Sequence, residues 1–229
     1  MTSLCLTEAV EWPLLNSLGA ADRARLLASA RRRAFARGEV VFHEGDLGDS
    51  LHLVETGRLA VQVSTTTGEA ATLTVLSPGD FFGELALLRE RPAPRRTASV
   101  VALESAQTLS LSGVAFHAIC DQHPRIERLM VTMLAQRVEE LGQRLLEALD
   151  VGVDQRVCRR LLELTHVYGG RSAPTVIPLT QDHLADLAGA SRPTVNQVLQ
   201  KLASLGVVLL HRGRIEVLQY DGLHKRTGL

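Results

Sequence analysis

The chain has 229 residues, enough for one large domain or two ordinary ones with real cores. Hydrophobic residues make up 45%, yet no apolar run reaches the ~18 residues of a membrane-spanning helix, and the opening MTSLCLTEAVEWP lacks the basic and apolar regions of a signal peptide, which points to the cytoplasm. Net charge is zero but unevenly placed: residues 1–152 carry 15 Arg and no Lys against 19 Asp and Glu, net −4, whereas residues 153–229 carry 10 basic against 6 acidic residues, net +4, which hints at a polyanion partner for the C-terminal third.

In chain order, AADRARLLASARRR (Ala20 to Arg33) reads as a short amphipathic helix. From about Arg33 to Leu111 short alternating segments follow, including VVFHEGDLGD, HLVETGRLAVQV, ATLTVLSPGD and ASVVALESAQTLSL. Glycines punctuate them at Gly38, Gly45, Gly48, Gly57, Gly68, Gly79 and Gly83, and short strands with turns about every 8–12 residues make the pattern of a β-sandwich or β-roll. From Pro124 to about Leu149 the period changes. Val131, Leu134, Val138, Leu141, Leu145 and Ala148 alternate at three- and four-residue steps, the seam of a coiled coil, and predict a long helix with a dimerising face. Pro124 suits its first turn. After Asp150–Gly152 a helical pattern resumes in QRVCRRLLELTHVYG, and GGRSAPTV reads as a loop. Cys5, Cys120 and Cys158 are scattered, with no CxxC pair, and suit reduced core thiols.

The segment LTQDHLADLAGASRPTVNQVLQKLASLGVV has two capping positions, Thr180 and Ser191. Ala185 allows close helix crossing, Gly189 turns the chain, and Val195 pins the second helix on the first. Leu184, Leu187, Val198, Leu199 and Leu202 supply the shared core. The second helix then exposes Arg192, Pro193, Asn196, Gln197 and Lys201. Arginine pairs with guanine acceptors and Asn or Gln with adenine, while Thr194 and Lys201 suit phosphates. The VVLLHRGRIEVL runs around Arg212-Gly213 predict a hairpin wing with Arg212 and Arg214 facing the DNA backbone. Together these predict a winged helix-turn-helix.

The stretch FGELALLRERPAPRRTASV pairs one carboxylate with an arginine-rich end. Arg96 offers a fork for a phosphate, Thr97 and Ala98 offer backbone amides, and Ala98 leaves room. Glu84 beside Gly83 can accept a hydrogen bond from a ribose hydroxyl, with Leu85 to Leu88 packing as a short helix beneath the ligand. The residues alone also allow an internal Glu84–Arg96 salt bridge.

The run Phe82-Gly83-Glu84-Leu85-Ala86-Leu87-Leu88 with Arg96-Thr97-Ala98-Ser99-Val100 resembles the phosphate-binding cassette of cyclic-nucleotide-binding domains. Together with the central helix and Ser191-Arg192-Pro193-Thr194-Val195, nearly the whole chain resembles the cyclic-AMP receptor (CRP/FNR) family of bacterial transcription regulators. The resemblance implies an α+β chain in three parts: an N-terminal β-roll (jelly roll) sensor over residues 1–123, a dimerisation helix and hinge over 124–150, and a winged helix-turn-helix over 151–229. It implies a homodimer, cyclic AMP as allosteric ligand, double-stranded DNA as partner, and RNA polymerase as a further partner. Glu84 matches the ribose-binding glutamate, Arg96 the phosphate-binding arginine, Thr97 its neighbouring hydroxyl, Gly83 the cassette glycine, and Arg192 the guanine-reading arginine.

Departures are readable too. The RERPAPR loop is about two residues longer than is usual, and the adjacent Arg95 offers a second phosphate partner. Leu141 and Gly142 stand where a Thr-Ser pair reads adenine, so cyclic GMP, a cyclic dinucleotide or no ligand are alternatives, as is a cyclic-nucleotide-binding regulatory subunit without DNA. Pro193 and Gln197 replace the glutamate and arginine that accompany the guanine-reading arginine, so the operator differs beyond a shared guanine. No nucleophile–base pair, metal motif or GxxxxGKS/T loop points to an enzyme. His43, His52, His117 and His123 lack ligand spacing, and no N-terminal cysteine cluster suits an iron–sulfur centre.

Overall fold

Alternation along the strands puts side chains on two faces, and most of the N-terminal architecture follows from it. The computed structural model describes residues 10–65, 70–88, 94–169 and 174–228. It divides into two units, the first running through Val61 with Val75–Leu134, the second comprising Gln62–Thr74 and Ala135–Leu229.

The strands β1 (Arg31–Phe35), β2 (Val40–Phe42), β3 (Ser50–Thr56), β4 (Leu59–Ser64), β5 (Ala70–Leu76), β6 (Phe81–Phe82), β7 (Ser99–Ala102) and β8 (Ala106–Ser112) build two four-stranded sheets. One has the order β1-β8-β3-β6, the other β2-β7-β4-β5. Inward residues such as Phe35, Val41, Val54, Leu59, Phe82, Val100 and Ala106 fuse into one core between the sheets. Leu51, Leu53, Leu109 and Leu111 occupy the opposite face of β3 and β8. There they meet Phe116 and Cys120 of helix α3 (Gly113–Gln122), Leu26 of α1 (Ala20–Ser29), and Ile126 and Met130 of α4 (Arg125–Asp150). Strand β3 is therefore buried on both sides over Leu51, His52, Leu53 and Val54. Burial pushes the Cys120 thiol up to about 12.

The helix expected over Ala20 to Arg33 stops at Ser29. Ala30 is extended, and Arg31, Arg32 and Arg33 enter β1, paired with Ser110, Leu109 and Thr108. Cross-strand pairing and the burial of Phe35 outweigh the local helical pattern. The apolar run after Glu84 is also smaller than expected. Helix α2 covers only Glu84–Leu87, and Leu85 and Leu88 are exposed while Ala86 is buried.

Helix α4 runs 26 residues without interruption. Leu134 packs against the helical core, but Val131, Val138, Leu141, Leu145, Leu146 and Leu149 are exposed. In the second unit α4 is tied to α5 (Val153–Gly169) through Glu147, whose carboxylate accepts from Arg159 and Arg160. Arg160 is buried and also donates to Glu163 at 2.9 Å, so its charge is matched on two sides. Cys158 is a buried free thiol held up to about 11 by desolvation, and Cys5 lies outside the described residues.

Helices α6 (Gln181–Ala188) and α7 (Arg192–Ser204) pack on α5 with a three-stranded antiparallel sheet, order β10-β11-β9. Strands β10 (Val208–His211) and β11 (Arg214–Val217) form the expected hairpin. The third, β9 (Thr175–Ile177), comes from the segment read as loop. Thr175 and Ile177 are buried, and pairing with β11 extends a stretch too short to be recognised alone. Helix α8 (Tyr220–His224) buries Leu223 and closes this core.

Candidate functional site

The polar centre of the first unit is assembled from β2, β3, the start of α2 and the segment before β7. The backbone of Arg96 is clamped by its N–H to the Asp46 carbonyl at 2.8 Å and by the Gly45 N–H to its own carbonyl at 2.9 Å. These bonds send the two adjacent arginines in opposite directions. Arg95 is exposed and donates through Nη1 to the Gly45 carbonyl at 2.7 Å. Arg96 turns inward and is only 6% exposed.

Inside, Arg96 Nη1 donates to the Ser50 and Gly83 carbonyls at 2.8 and 3.0 Å, and Nη2 donates to Ser50 Oγ at 2.9 Å. A guanidinium has five N–H donors, so three are committed. Of the other two, one is on Nη2, the nitrogen nearest Asp49, and Nε–H is buried without a partner among the described residues. An unmet buried donor costs about 1–3 kcal/mol, so this group is incomplete until an acceptor arrives. Burial lowers the Arg96 pKa, while Asp49, Asp46 and Glu84 favour its charge. Asp49 Oδ1 lies 3.9 Å from Nη2 but is itself exposed.

Two glycines make the close approach possible. A Cβ at Gly83 would lie 2.6 Å from Arg96 Nη1 and 2.9 Å from the Ser50 carbonyl, and its φ of +88° is left-handed. A Cβ at Gly48 would strike Ala86 at 2.2 Å and approach Arg96 Nε at 3.4 Å. Glu84 is buried directly after Gly83, at the start of α2. Thr97 and Ala98 are half-buried. An anion fits this donor set, a buried cation whose Nε–H has no partner among the described residues. The RERPAPR loop falls largely outside the described residues, which omit 89–93.

Leu141 and Gly142 belong to the second unit, on the exposed stretch of α4, and a Cβ at Gly142 would meet nothing within 4 Å.

The second candidate surface is α7. Thr180 caps α6 in a reciprocal box with His183, and Ser191 Oγ accepts the Thr194 N–H to cap α7. Gly189 ends α6 at φ +57°, and the Ala190 N–H returns to the Ala185 carbonyl. Val195, Val198, Leu199 and Leu202 are buried on one side of α7, opposite Leu184 and Ala185. Leu187, expected in that core, is only half-buried, and Ala188 takes the inner position.

On the outer side Arg192, Pro193, Gln197 and Lys201 are exposed, and Thr194 and Asn196 are partly covered. Gln200 shares this face one turn beyond Asn196, and the four-residue step alone would have found it. Arg192 Nε lies 3.4 Å from Asp182 Oδ1, and Lys201 Nζ 3.1 Å from Asp154 Oδ2. Both pairs are solvent-exposed and therefore easily exchanged for phosphate or base contacts. Arg212 and Arg214 are exposed at the β10–β11 turn, which Gly213 closes at φ +74°.

Phe42 and Ser50, whose side chains contact the inward guanidinium, carry no motif, and neither does His52 beside Ser50. Ser50 and His52 are two apart in β3 and share a face, a signal present in the sequence. Among the described residues no helix is long and apolar enough to cross a membrane, and no cluster of His, Cys, Asp or Glu could hold a metal ion.

Comparison with known proteins accounts for both surfaces. Residues 32–123 match the cyclic nucleotide-binding domain family, and residues 155–226 the Crp-like helix-turn-helix domain family. The chain is 33% identical to the cyclic AMP receptor protein of Thermus thermophilus over 205 residues, covering 90% of this chain and 92% of that protein. The crystal structure of the Thermus thermophilus catabolite activator protein aligns with a TM-score of 0.54 at 32% identity, over 94% of this chain and 98% of that one. A regulator from Xanthomonas campestris described as c-di-GMP responsive shares the fold, with a TM-score of 0.75 at 22% identity over 88% of this chain and 100% of that one.

Proposed function

Because the chain belongs to the CRP/FNR family of transcription regulators, we propose that it is a homodimeric, cyclic AMP-responsive regulator of a palindromic operator. It is a DNA-binding regulator with a cyclic nucleotide-binding domain, not an enzyme. The observation that carries the ligand reading is the inward Arg96, buried with one donor wholly unmet. Arg96 takes the cyclic phosphate with Thr97 and Ala98 beside it, and Glu84 holds the ribose hydroxyl. The outward bond of Arg95 to Gly45 supports Arg96 over Arg95 as the phosphate partner.

Functionally the chain divides at 1–123, 124–150 and 151–229. The exposed apolar stripe of α4 is the dimer seam, whose uncovered leucines and valines repeat at coiled-coil steps. Paired α7 helices then enter successive major grooves about 34 Å apart, with Arg192 on guanine, Asn196 and Gln197 on base edges, and Lys201, Arg212 and Arg214 on phosphates. Ligand acts by favouring the DNA-competent arrangement, to the extent that it binds that state more tightly. RNA polymerase is the further partner, and the cytoplasm, where the DNA lies, the working compartment. Calorimetric titration of cyclic AMP against wild type and Arg96→Ala tests the pocket, and equal affinities would refute it. Gel retardation on random duplexes with and without cyclic AMP tests the gating.

One observation favours a second reading of the ligand. Neither Leu141 nor Gly142 offers a hydroxyl to a nucleobase. Cyclic GMP, with Thr97 on the guanine edge, or a cyclic dinucleotide then becomes the effector, and a nucleotide panel separates these from cyclic AMP.

A further inference from the structure

A guanidinium that must receive an anion needs more than free donors. It needs a fixed plane, because a mobile arginine loses rotamer entropy on binding. The surroundings of Arg96 supply that plane from two directions. Its Cζ lies 4.1 Å from the centroid of the Phe42 ring, close enough for cation–π attraction. Ser50 holds both terminal nitrogens, accepting from Nη1 through its carbonyl and from Nη2 through its hydroxyl.

Phe42 is itself held. It packs at 5.7 Å from Phe82 and meets His52 edge-on at 6.0 Å, and His52 stacks on Phe82 at 4.9 Å. His52 is anchored by Nδ1 against Thr108 Oγ1 at 3.1 Å. The three rings and two hydroxyls link β2, β3, β6 and β8 beneath one cation.

We propose that Phe42 and Ser50 are positioning residues that hold the Arg96 guanidinium in its anion-receiving orientation before ligand arrives. This rests on reading Arg96 as the anion-binding group, and it adds two side chains outside the glycine–glutamate–arginine cassette. Phe42 acts through its ring face, Ser50 through its hydroxyl, and neither need touch the nucleotide.

Two readouts test this in the full-length protein. The first is the ¹⁵N–¹H signal of Arg96 Nε, assigned by its loss in Arg96→Lys and recorded without ligand. In wild type the buried Nε–H should exchange slowly and be displaced by the Phe42 ring current. Phe42→Leu should remove the displacement, and Ser50→Ala should speed exchange. The second is calorimetry with cyclic AMP. Phe42→Leu and Ser50→Ala should each weaken binding about fivefold, with Phe42→Tyr within about twofold of wild type.

An Nε signal unmoved in both Phe42→Leu and Ser50→Ala would overturn the proposal, as would unchanged affinity in both. Phe42 is only half-buried, and Ser50→Ala keeps the backbone acceptor, so one variant at least should fold. If Arg96→Ala bound cyclic AMP like wild type, the pocket reading would fall by itself, and the ligand-free Nε signal would still decide the positioning.

Discussion

Two arginines stand at the two candidate surfaces, and they are held in opposite ways. Arg96 is buried, set over the Phe42 ring, and bonded three times to backbone and hydroxyl oxygens. Arg192 is exposed at the first turn of α7 and rests on one exposed carboxylate, Asp182. Pre-organisation inside a low-dielectric site makes each bond stronger and makes its loss expensive. An exposed cation gains less per contact but can exchange partners, as the proposed DNA-reading role of α7 requires.

The contrast can be broken by experiment, most severely at Arg96. Arg96→Ala should weaken cyclic nucleotide binding by at least ~100-fold, since two charge-assisted bonds disappear together. Calorimetry reads this directly. Arg192→Ala should cost roughly 10- to 30-fold in operator affinity and relax specificity at one base pair. Gel retardation across a salt series checks both the loss and its sequence dependence.

Acid should distinguish the two surfaces next. Burial, and then the charge of Arg96, hold His52 down to about 3 from an ordinary 6.5. Arg33 acts in the same direction and Asp49 against it. The unfolded chain therefore takes up a proton that the folded sensor refuses. Stability is full above pH 6.5 and falls as pH drops toward 3, by at most ~1.4 kcal/mol per unit from this group. His52→Phe should flatten that part of the melting-temperature profile. Smallest is Asp182→Asn, which frees Arg192 from an exposed pair and should raise low-salt DNA affinity about twofold or less.

Legibility in the sequence divides along similar lines. The helix-turn-helix is written in local chemistry. Thr180, Gly189, Ser191 and Val195 each do in the fold what their neighbours in sequence imply. The long period of α4 is equally local. In contrast, the Arg31–Arg33 run is strand rather than helix because β8 pairs with it, and Thr175–Ile177 is strand because β11 does. Ser50 meets Arg96 from 46 positions away. The cassette Gly83, Glu84 and Arg96 was recognisable by resemblance, but the inward turn of Arg96 and the outward turn of Arg95 depend on bonds to Asp46 and Gly45 that spacing does not encode.

Strand β1 closes one margin of its sheet with a row of three exposed arginines, Arg31, Arg32 and Arg33, of which Arg32 is bonded by Glu55. A sheet margin offers spare amides and carbonyls to any extended peptide that drifts past. Here a second copy approaching edge to edge would bring guanidinium against guanidinium, so the same residues that interrupt the α1 pattern also guard the protein against stacking into aggregates.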